Sequence, residues 1–267
     1  MPEQSPELLR ELHLLTRTGD LNADALRKLK QVNHFMGLLR PAMEDLFTRH
    51  PSPVLVDAGS GNAYLAFILY EVFLRDAAEG EIHCVEARDD LTQRARERAA
   101  RLGFDRMRFH TAAMEAAPLP ERVHLTVALH ACDTATDDAI WAAVSRGADY
   151  VAVVPCCQAE VASQLKGVKG VGSSPMAALH AHAWHRREFG SHLTNVIRAL
   201  SLESRGYQVT VTELTGWEHS LKNELILGRR VHRENREARA RLDALLRETG
   251  VAPKLVRAMG LAPAGAL

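Results

Sequence analysis

VLVDAGSGNAY, residues 54–64, changes character twice in eleven positions. Val54-Leu55-Val56 is a short apolar run suited to a buried strand. Gly59 and Gly61 follow Asp57, and glycine allows both a tight turn and close approach of the backbone to a ligand. From Leu65 an apolar helix is predicted to about Asp76. A glycine turn between a strand and a helix start presents backbone N–H groups that favour an anionic group. G-x-G alone is a weak signal. The next position of the dinucleotide fingerprint carries Ala63 and then Tyr64, so G-x-G-x-x-G is not met. Glu81 to Val85 reads as a second strand and ends in Glu86, 25 residues after Gly61. An acid there can accept hydrogen bonds from ribose hydroxyls.

Downstream, strand and helix signals alternate. A charged helix from Asp90 to Leu102 leads to a weak strand at Met107 to Phe109. Val123 to Leu129 is the fourth strand, Asp137 to Ser145 a helix, and Tyr150 to Val154 the fifth strand. A helix from Gly190 to Ser204 precedes two closing strands, Tyr207 to Leu214 and Glu224 to Gly228. The alternation predicts an α/β, doubly wound parallel sheet. The last two strands lack a helix-length connection, which predicts an antiparallel pair at one edge. Upstream, Ser5-Pro6-Glu7 opens a helix carrying Leu8, Leu9, Leu12 and Leu15, ended by Gly19. A second helix is expected from Ala23 to Leu39, broken by Pro41, with a short third from Ala42 to His50. Three segments are therefore expected: a helical lead-in over 1–50, the α/β domain over 51–230 and a basic helical tail over 231–267.

Two strand ends carry chemistry. LHACDTATDDA, residues 129–139, places His130, Cys132 and Asp133 just past strand four. VPCCQ, residues 154–158, places Cys156 and Cys157 past strand five. In an open α/β sheet ligands bind outside the carboxyl ends of the strands. A competing reading gives Thr134 the cap of the next helix and Asp137 its first turn, with Asp133 supporting the turn. HAHAWH, residues 180–185, has histidines at i, i+2 and i+5, which suits neither one helix face nor a zinc-finger spacing, so no metal is expected.

The chain of 267 residues has no net formal charge, yet the charge is uneven. From Arg229 onward nine basic residues stand against four acidic, net +5, whereas residues 51–228 are net −5. Such a tail can contact phosphate or can be a solvated helix face. Four cysteines without a CxxC do not suit a disulfide framework. Pro2 to Arg10 does not read as a leader, and no apolar run reaches the roughly 18 residues that span a bilayer. A reduced, cytoplasmic protein is expected, not a membrane one.

DxGSGxxY with an acid ending the next strand resembles motifs I and II of class I S-adenosylmethionine-dependent methyltransferases. LKQVNHF (29–35), DAGSGNAYLAF (57–67), LHACDTATDDA, VPCCQ, RALSLESRGY (198–207) and EHSLKN (218–223) are similar to the ordered blocks of one bacterial family within them. Its strand-four and strand-five blocks also resemble those of the eukaryotic tRNA 2′-O-methyltransferases of the acceptor stem. The resemblance implies the seven-stranded Rossmann-like methyltransferase fold, with strand four beside strand one. It implies S-adenosylmethionine bound by Asp57, Gly59, Ser60, Gly61, Tyr64, Glu86 and His130, and a methyl acceptor near Asp133, His130 and Cys156. Asp133 or His130 could take a proton from a hydroxyl, and Cys156 or Cys157 would serve only a carbon acceptor. Two departures stand out: Ala63 replaces the glycine usual in the loop, and Asn195 replaces an expected acid. RNA is the first expectation for the substrate, and the basic tail, with Arg229, Arg230, Arg233, Arg236 and Arg239, for its contact. Alternatives are a small-molecule or protein acceptor, or a cofactor- or RNA-binding module without catalysis.

Overall fold

The structure is a computed structural model that describes residues 4–16, 18–19, 23–129, 131–156, 158–167, 175–214 and 223–262. Seven strands are formed: β1 (Val54–Ala58), β2 (Glu81–Glu86), β3 (Met107–Thr111), β4 (Leu125–Leu129), β5 (Tyr150–Val154), β6 (Tyr207–Glu213) and β7 (Glu224–Arg230). They join in one sheet of order β3-β2-β1-β4-β5-β7-β6. All pairs from β3 to β5 are parallel, while β7 runs antiparallel to both β5 and β6. The predicted antiparallel pair therefore closes one side, with β7 inserted inside β6. Strand order reverses between β1 and β4, and this is the point where the carboxyl edge opens a crevice.

The strands are buried on both faces. Leu55, Ile82, Leu125, Val127, Ala152 and Val154 face one layer of helices, and Val56, Val85, Ala128, Val151 and Val153 face the other. The first layer holds α1 (Pro6–Glu11), α2 (Ala23–Arg49), α3 (Tyr64–Leu69) and α4 (Asp89–Leu102). The second holds α5 (Thr134–Ser145), α6 (Glu160–Gly167), α7 (Ala183–Ser204), α8 (Arg236–Thr249) and α9 (Lys254–Ala258). No helix among the described residues is long and apolar enough to cross a membrane.

Three helix predictions need correction. Pro41 does not break the second helix, which runs unbroken through Ala23–Arg49. The lost N–H bond and ring clash would cost about 3 kcal/mol in isolation. Met36, Leu39, Ala42, Met43 and Leu46 continue one buried stripe across the proline, and their burial outweighs that cost. The first helix stops at Glu11 rather than near Gly19, because a turn at His13, with φ 55°, is needed to bury Leu12 and Leu14. Its start is as predicted: Leu8 N donates to the Ser5 hydroxyl at 3.1 Å. Past α3 the helix widens into a π turn over Tyr70–Leu74. That turn carries the buried Glu71, whose carboxylate accepts from the Ser5 hydroxyl at 2.6 Å and the Ser5 N–H at 2.9 Å. The lead-in is thereby pinned to the helix that follows the glycine loop.

At the amino edge, opposite the crevice, His50, His124 and Asp149 cluster. Asp149 accepts from Arg49 at 2.9 Å and Arg122 at 2.5 Å, and His124 Nδ1 accepts from Val54 N at 2.9 Å. Burial, with His50 close by, pushes His124 down to about 4. The carboxylate and the imidazole lone pair are already used, so the cluster is a structural knot joining α2, β1, β4 and β5.

Candidate active site at the carboxyl edge

The loop from Gly59 to Ala63 turns through three left-handed residues: Gly59 at φ 66°, Gly61 at 55° and Ala63 at 57°. For alanine this conformation costs roughly 1–2 kcal/mol, which explains why glycine is usual at position 63. The loop is tied to β2 at two points. Ser60 N donates to Val85 O at 3.0 Å, and Gly61 N donates to Glu86 Oε2 at 2.9 Å. A β-carbon on Gly59 would sit 3.6 Å from that of Ala131, so the loop also abuts the end of β4. Glu86 thus ends β2 as predicted, with its carboxylate against the loop. It also accepts from Arg88, from the backbone N at 3.0 Å and Nε at 2.9 Å. Burial pushes its carboxyl up, but the Arg88 and Gly61 hydrogen bonds together outweigh it and hold it below the usual range. Arg88 itself is 66% exposed at its side chain.

Asp57 is the second carboxylate. It lies between Cys84 of β2 and Val127 of β4 and is only 2% exposed. It accepts a backbone hydrogen bond from Ala66, in the first turn of α3. Its Oδ2 finds no partner among the described residues. Burial pushes its carboxyl up to about 7, and the charge of Glu86 adds to the rise. Asp57 borders a cavity of about 170 Å³ lined also by Ser60, Tyr64 and Leu129. Lys28 and Gln31 of α2 line the opposite side. Gln31 Nε2 further donates to Asn223 Oδ1, just before β7, at 3.3 Å. In the sequence α2 reads as a lead-in; its only signal for a wall of the site is the polar Lys30-Gln31-Asn33 interruption of the apolar stripe in the LKQVNHF block.

The ends of β4 and β5 meet beside this cavity. Asp133 has φ 46° and ψ −121°, a strained conformation for a side-chain-bearing residue. Its Oδ1 accepts from Ala159 N at 3.0 Å, at the start of α6. Thr134 is the first residue of α5 rather than its cap, while Asp137 does lie in the first turn, as expected. Asp137 is buried against Arg198 of α7, whose Nε donates to its Oδ1 at 2.7 Å. Arg198 is 1% exposed, and its other nitrogens donate to Asp133 O at 2.7 Å and Asn195 Oδ1 at 3.2 Å. Asn195 Oδ1 also accepts from Gln158 Nε2 at 3.2 Å, and Gln158 Oε1 from the Ser191 hydroxyl at 2.5 Å. The neutral side chain at position 195 therefore joins two donors where an acid was expected. The Sγ atoms of Cys132 and Cys156 lie 3.2 Å apart. His130 and Cys157 lie outside the described residues.

The family whose description is Methyltransferase domain matches residues 27–164, more than half the chain and all of the glycine loop, Glu86 and both strand ends. The chain belongs to this methyltransferase-domain family. Among curated relatives, the Glutathione S-transferase C-terminal domain-containing proteins of Bos taurus and Mus musculus are both 25% identical, each over 79% of this chain. The chain spans about a third of their length, 35% and 34% respectively. The solved SAH-bound Podospora anserina methyltransferase PaMTH1 has a TM-score of 0.50 at 14% identity, covering 86% of this chain and 89% of that one. That likeness is one of fold.

Within this methyltransferase domain, α7 stands over the end of β5. Pro155, Gln158, Ser191, His192, Asn195 and Glu224 line a second cavity there, of about 140 Å³. The helix begins at Ala183, seven residues earlier than predicted, so Trp184 and His185 lie in its first turn. From Trp184 to His192 it rises about 12 Å, which carries Trp184 outward past the strand ends. The HAHAWH histidines are engaged separately: His180 stacks near Phe189 at 6.2 Å, and His182 meets His185 edge-on at 5.4 Å. The basic tail lies elsewhere. Arg230 N bonds to Asp149 O and Asn235 N to Ser204 O, which fixes Arg229 to Arg236 at the amino edge. By strand rise that edge is about 20 Å from the crevice. Leu242 and Leu246 are buried, so α8 does dock on the body, against α7. Arg239 pairs with Asp243 at 2.9 Å.

Proposed function

We propose that this chain is an S-adenosylmethionine-dependent methyltransferase whose acceptor is RNA. The observation that carries the cofactor reading is Asp57, a buried carboxylate with an unsatisfied oxygen at a cavity beside a glycine loop. Buried polar atoms are ordinarily partnered, and a carboxylate suits a cationic ligand group. The methionyl ammonium of the cofactor is such a group. Glu86 would accept from the ribose hydroxyls, with the exposed Arg88 side chain moving aside. Gly59, Ser60, Gly61 and Tyr64 would border the ligand, with Lys28 and Gln31 on the α2 side. The cofactor supplies an electrophilic methyl group; the protein's task is to align the acceptor and exclude water.

Roles at the strand ends follow from their bonds. Asp133, with Oδ1 on the α6 amides, is assigned a positioning role that holds the two strand ends together. His130 is then the residue proposed to take a proton from a hydroxyl acceptor. Cys156 shapes the acceptor site. The RNA reading rests on the likeness of the β4 and β5 blocks to tRNA methyltransferases and on Trp184. This side chain is 65% exposed, on the helix that lines the second cavity, with Arg187 over its ring at 4.2 Å. An exposed indole backed by a guanidinium is a stacking surface for a base. The tail arginines, at the far edge, would touch only an RNA long enough to wrap the body.

Isothermal titration with S-adenosylmethionine and its demethylated product tests the cofactor reading; no heat with either, fold intact, sinks it. Glu86→Ala is expected to weaken binding by roughly 1–3 kcal/mol. Mass spectrometry of digested RNA from a deletion strain identifies the acceptor as a lost methylated nucleoside. Trp184→Ala is expected to weaken RNA binding by about 1–3 kcal/mol while leaving cofactor titration unchanged. Unchanged RNA affinity in a filter-binding assay would remove Trp184 from the interface.

A further inference from the structure

We infer that Cys132 and Cys156 form an oxidisable thiol pair, joined by a disulfide when the protein meets a peroxide. Their sulfurs are 3.2 Å apart although they come from different loops, one after β4 and one after β5. A disulfide needs about 2.0 Å between sulfurs, so an approach of roughly 1 Å completes it, within reach of side-chain rotation. Cys132 is exposed and Cys156 half-buried, so a small oxidant reaches them.

The loops are held in register by bonds that do not involve sulfur. Arg198 donates to the carbonyl of Asp133, next to Cys132. The Asp133 carboxylate accepts from Ala159 N, three residues past Cys156. This clamp keeps the thiols together before oxidation, which favours the intramolecular step. Cys84 provides the internal contrast. It is buried in β2, and burial pushes its thiol well above the ordinary value, so it is inert to the same reagent.

The chemistry balances in two steps. A thiolate sulfur attacks one oxygen of hydrogen peroxide, breaking the O–O bond and giving a sulfenic acid and hydroxide, which takes up a proton as water. The second thiol displaces the sulfenic hydroxyl as a second water and forms the S–S bond. In sum, two thiols lose two electrons and two protons, and one peroxide becomes two waters. The bond ties the β4 end to the β5 end across the edge where the acceptor is proposed to sit. That consequence rests on the proposed function; the formation of the bond does not.

The test uses the full chain, reduced, desalted and treated with a small excess of hydrogen peroxide. Alkylation, proteolysis and mass spectrometry should find a Cys132–Cys156 linked peptide as the main oxidised product, restored to two thiols by dithiothreitol. Cys84 should become alkylatable only after denaturation. In Cys132→Ser, Cys156 should instead progress to sulfinic acid. If wild-type oxidation yields separate sulfinic acids, a chain-to-chain disulfide, or a bond from either thiol to Cys157 as the main product, the pairing is overturned. Methyl transfer lost on peroxide and regained on reduction would add the gating consequence. Linkage without loss of transfer would confine the inference to the bond.

Discussion

Asp57→Asn is expected to abolish most cofactor affinity while making the ligand-free protein no less stable at pH 8. The two effects have one cause. The substituted amide can still accept the Ala66 N–H but cannot offer a negative charge to a cation. Loss of one charged hydrogen bond corresponds to roughly a 10- to 100-fold drop in affinity. Ligand-free, the wild-type carboxyl titrates at about 7, against an ordinary value of about 3.9 in the unfolded chain. A raised folded value means that the native state holds its proton longer than the unfolded state. The associated stability is present in full below about pH 4 and is lost as pH rises through about 7. Three units correspond to roughly 4 kcal/mol, the order of the burial penalty that an amide escapes. Urea unfolding of both proteins at pH 5.5 and 8.5 should show the wild type losing ground to the variant at the higher pH. Titration should show wild-type affinity for S-adenosylmethionine rising across that range and the variant's staying flat. Equal affinities in the two proteins would place the ligand's cation away from Asp57.

Arg198→Ala carries the largest expected loss of stability. Arg198 is the sole strong donor to Asp137 among the described residues, and both are buried. Removing one partner of a buried pair costs roughly 3–5 kcal/mol, because a carboxylate is left without its countercharge. For a chain of this size that lowers Tm by about 10 °C, read by calorimetry. Burial already pushes the Asp137 carboxyl upward, opposed by Arg198. Without Arg198 it rises further, so the variant should recover part of its deficit below neutral pH as Asp137 takes up a proton. Adding Asp137→Leu to Arg198→Met should restore stability at pH 8, since no buried charge then remains. The double variant should still be impaired in methyl transfer, because Asp133 O loses the guanidinium that holds the β4 end. Full activity in a stable double variant would show that the clamp does not position the site.

The glycine loop, Asp57 and Glu86 were legible because their setting is local. An apolar run of strand length, two glycines and a helical stripe set the strand, turn and helix within about twenty residues. The acid that ends β2 is placed by its own short strand. The same alternation carried down the chain predicted seven strands in a doubly wound sheet. What escaped was set through space. Lys28 and Gln31 wall the cavity because α2 packs on the first face of the sheet, which only the docking of its buried stripe decides. In the sequence Asp133 reads as a base or a turn support; its bond to the α6 amides exists because α6 starts beside β4. Arg198 is one residue of a helix pattern there, and Asp137 a helix start, until the fold buries them against each other. The tail arginines could be counted in the chain, but their edge of the sheet could not. Local periodicity and turn chemistry therefore determined the layers of this protein and the loop that opens its site. The clamp between β4 and β5, the contact of Cys132 with Cys156 and the distance of the basic tail came only from tertiary structure, because each joins residues whose separation along the chain carries no periodic signal.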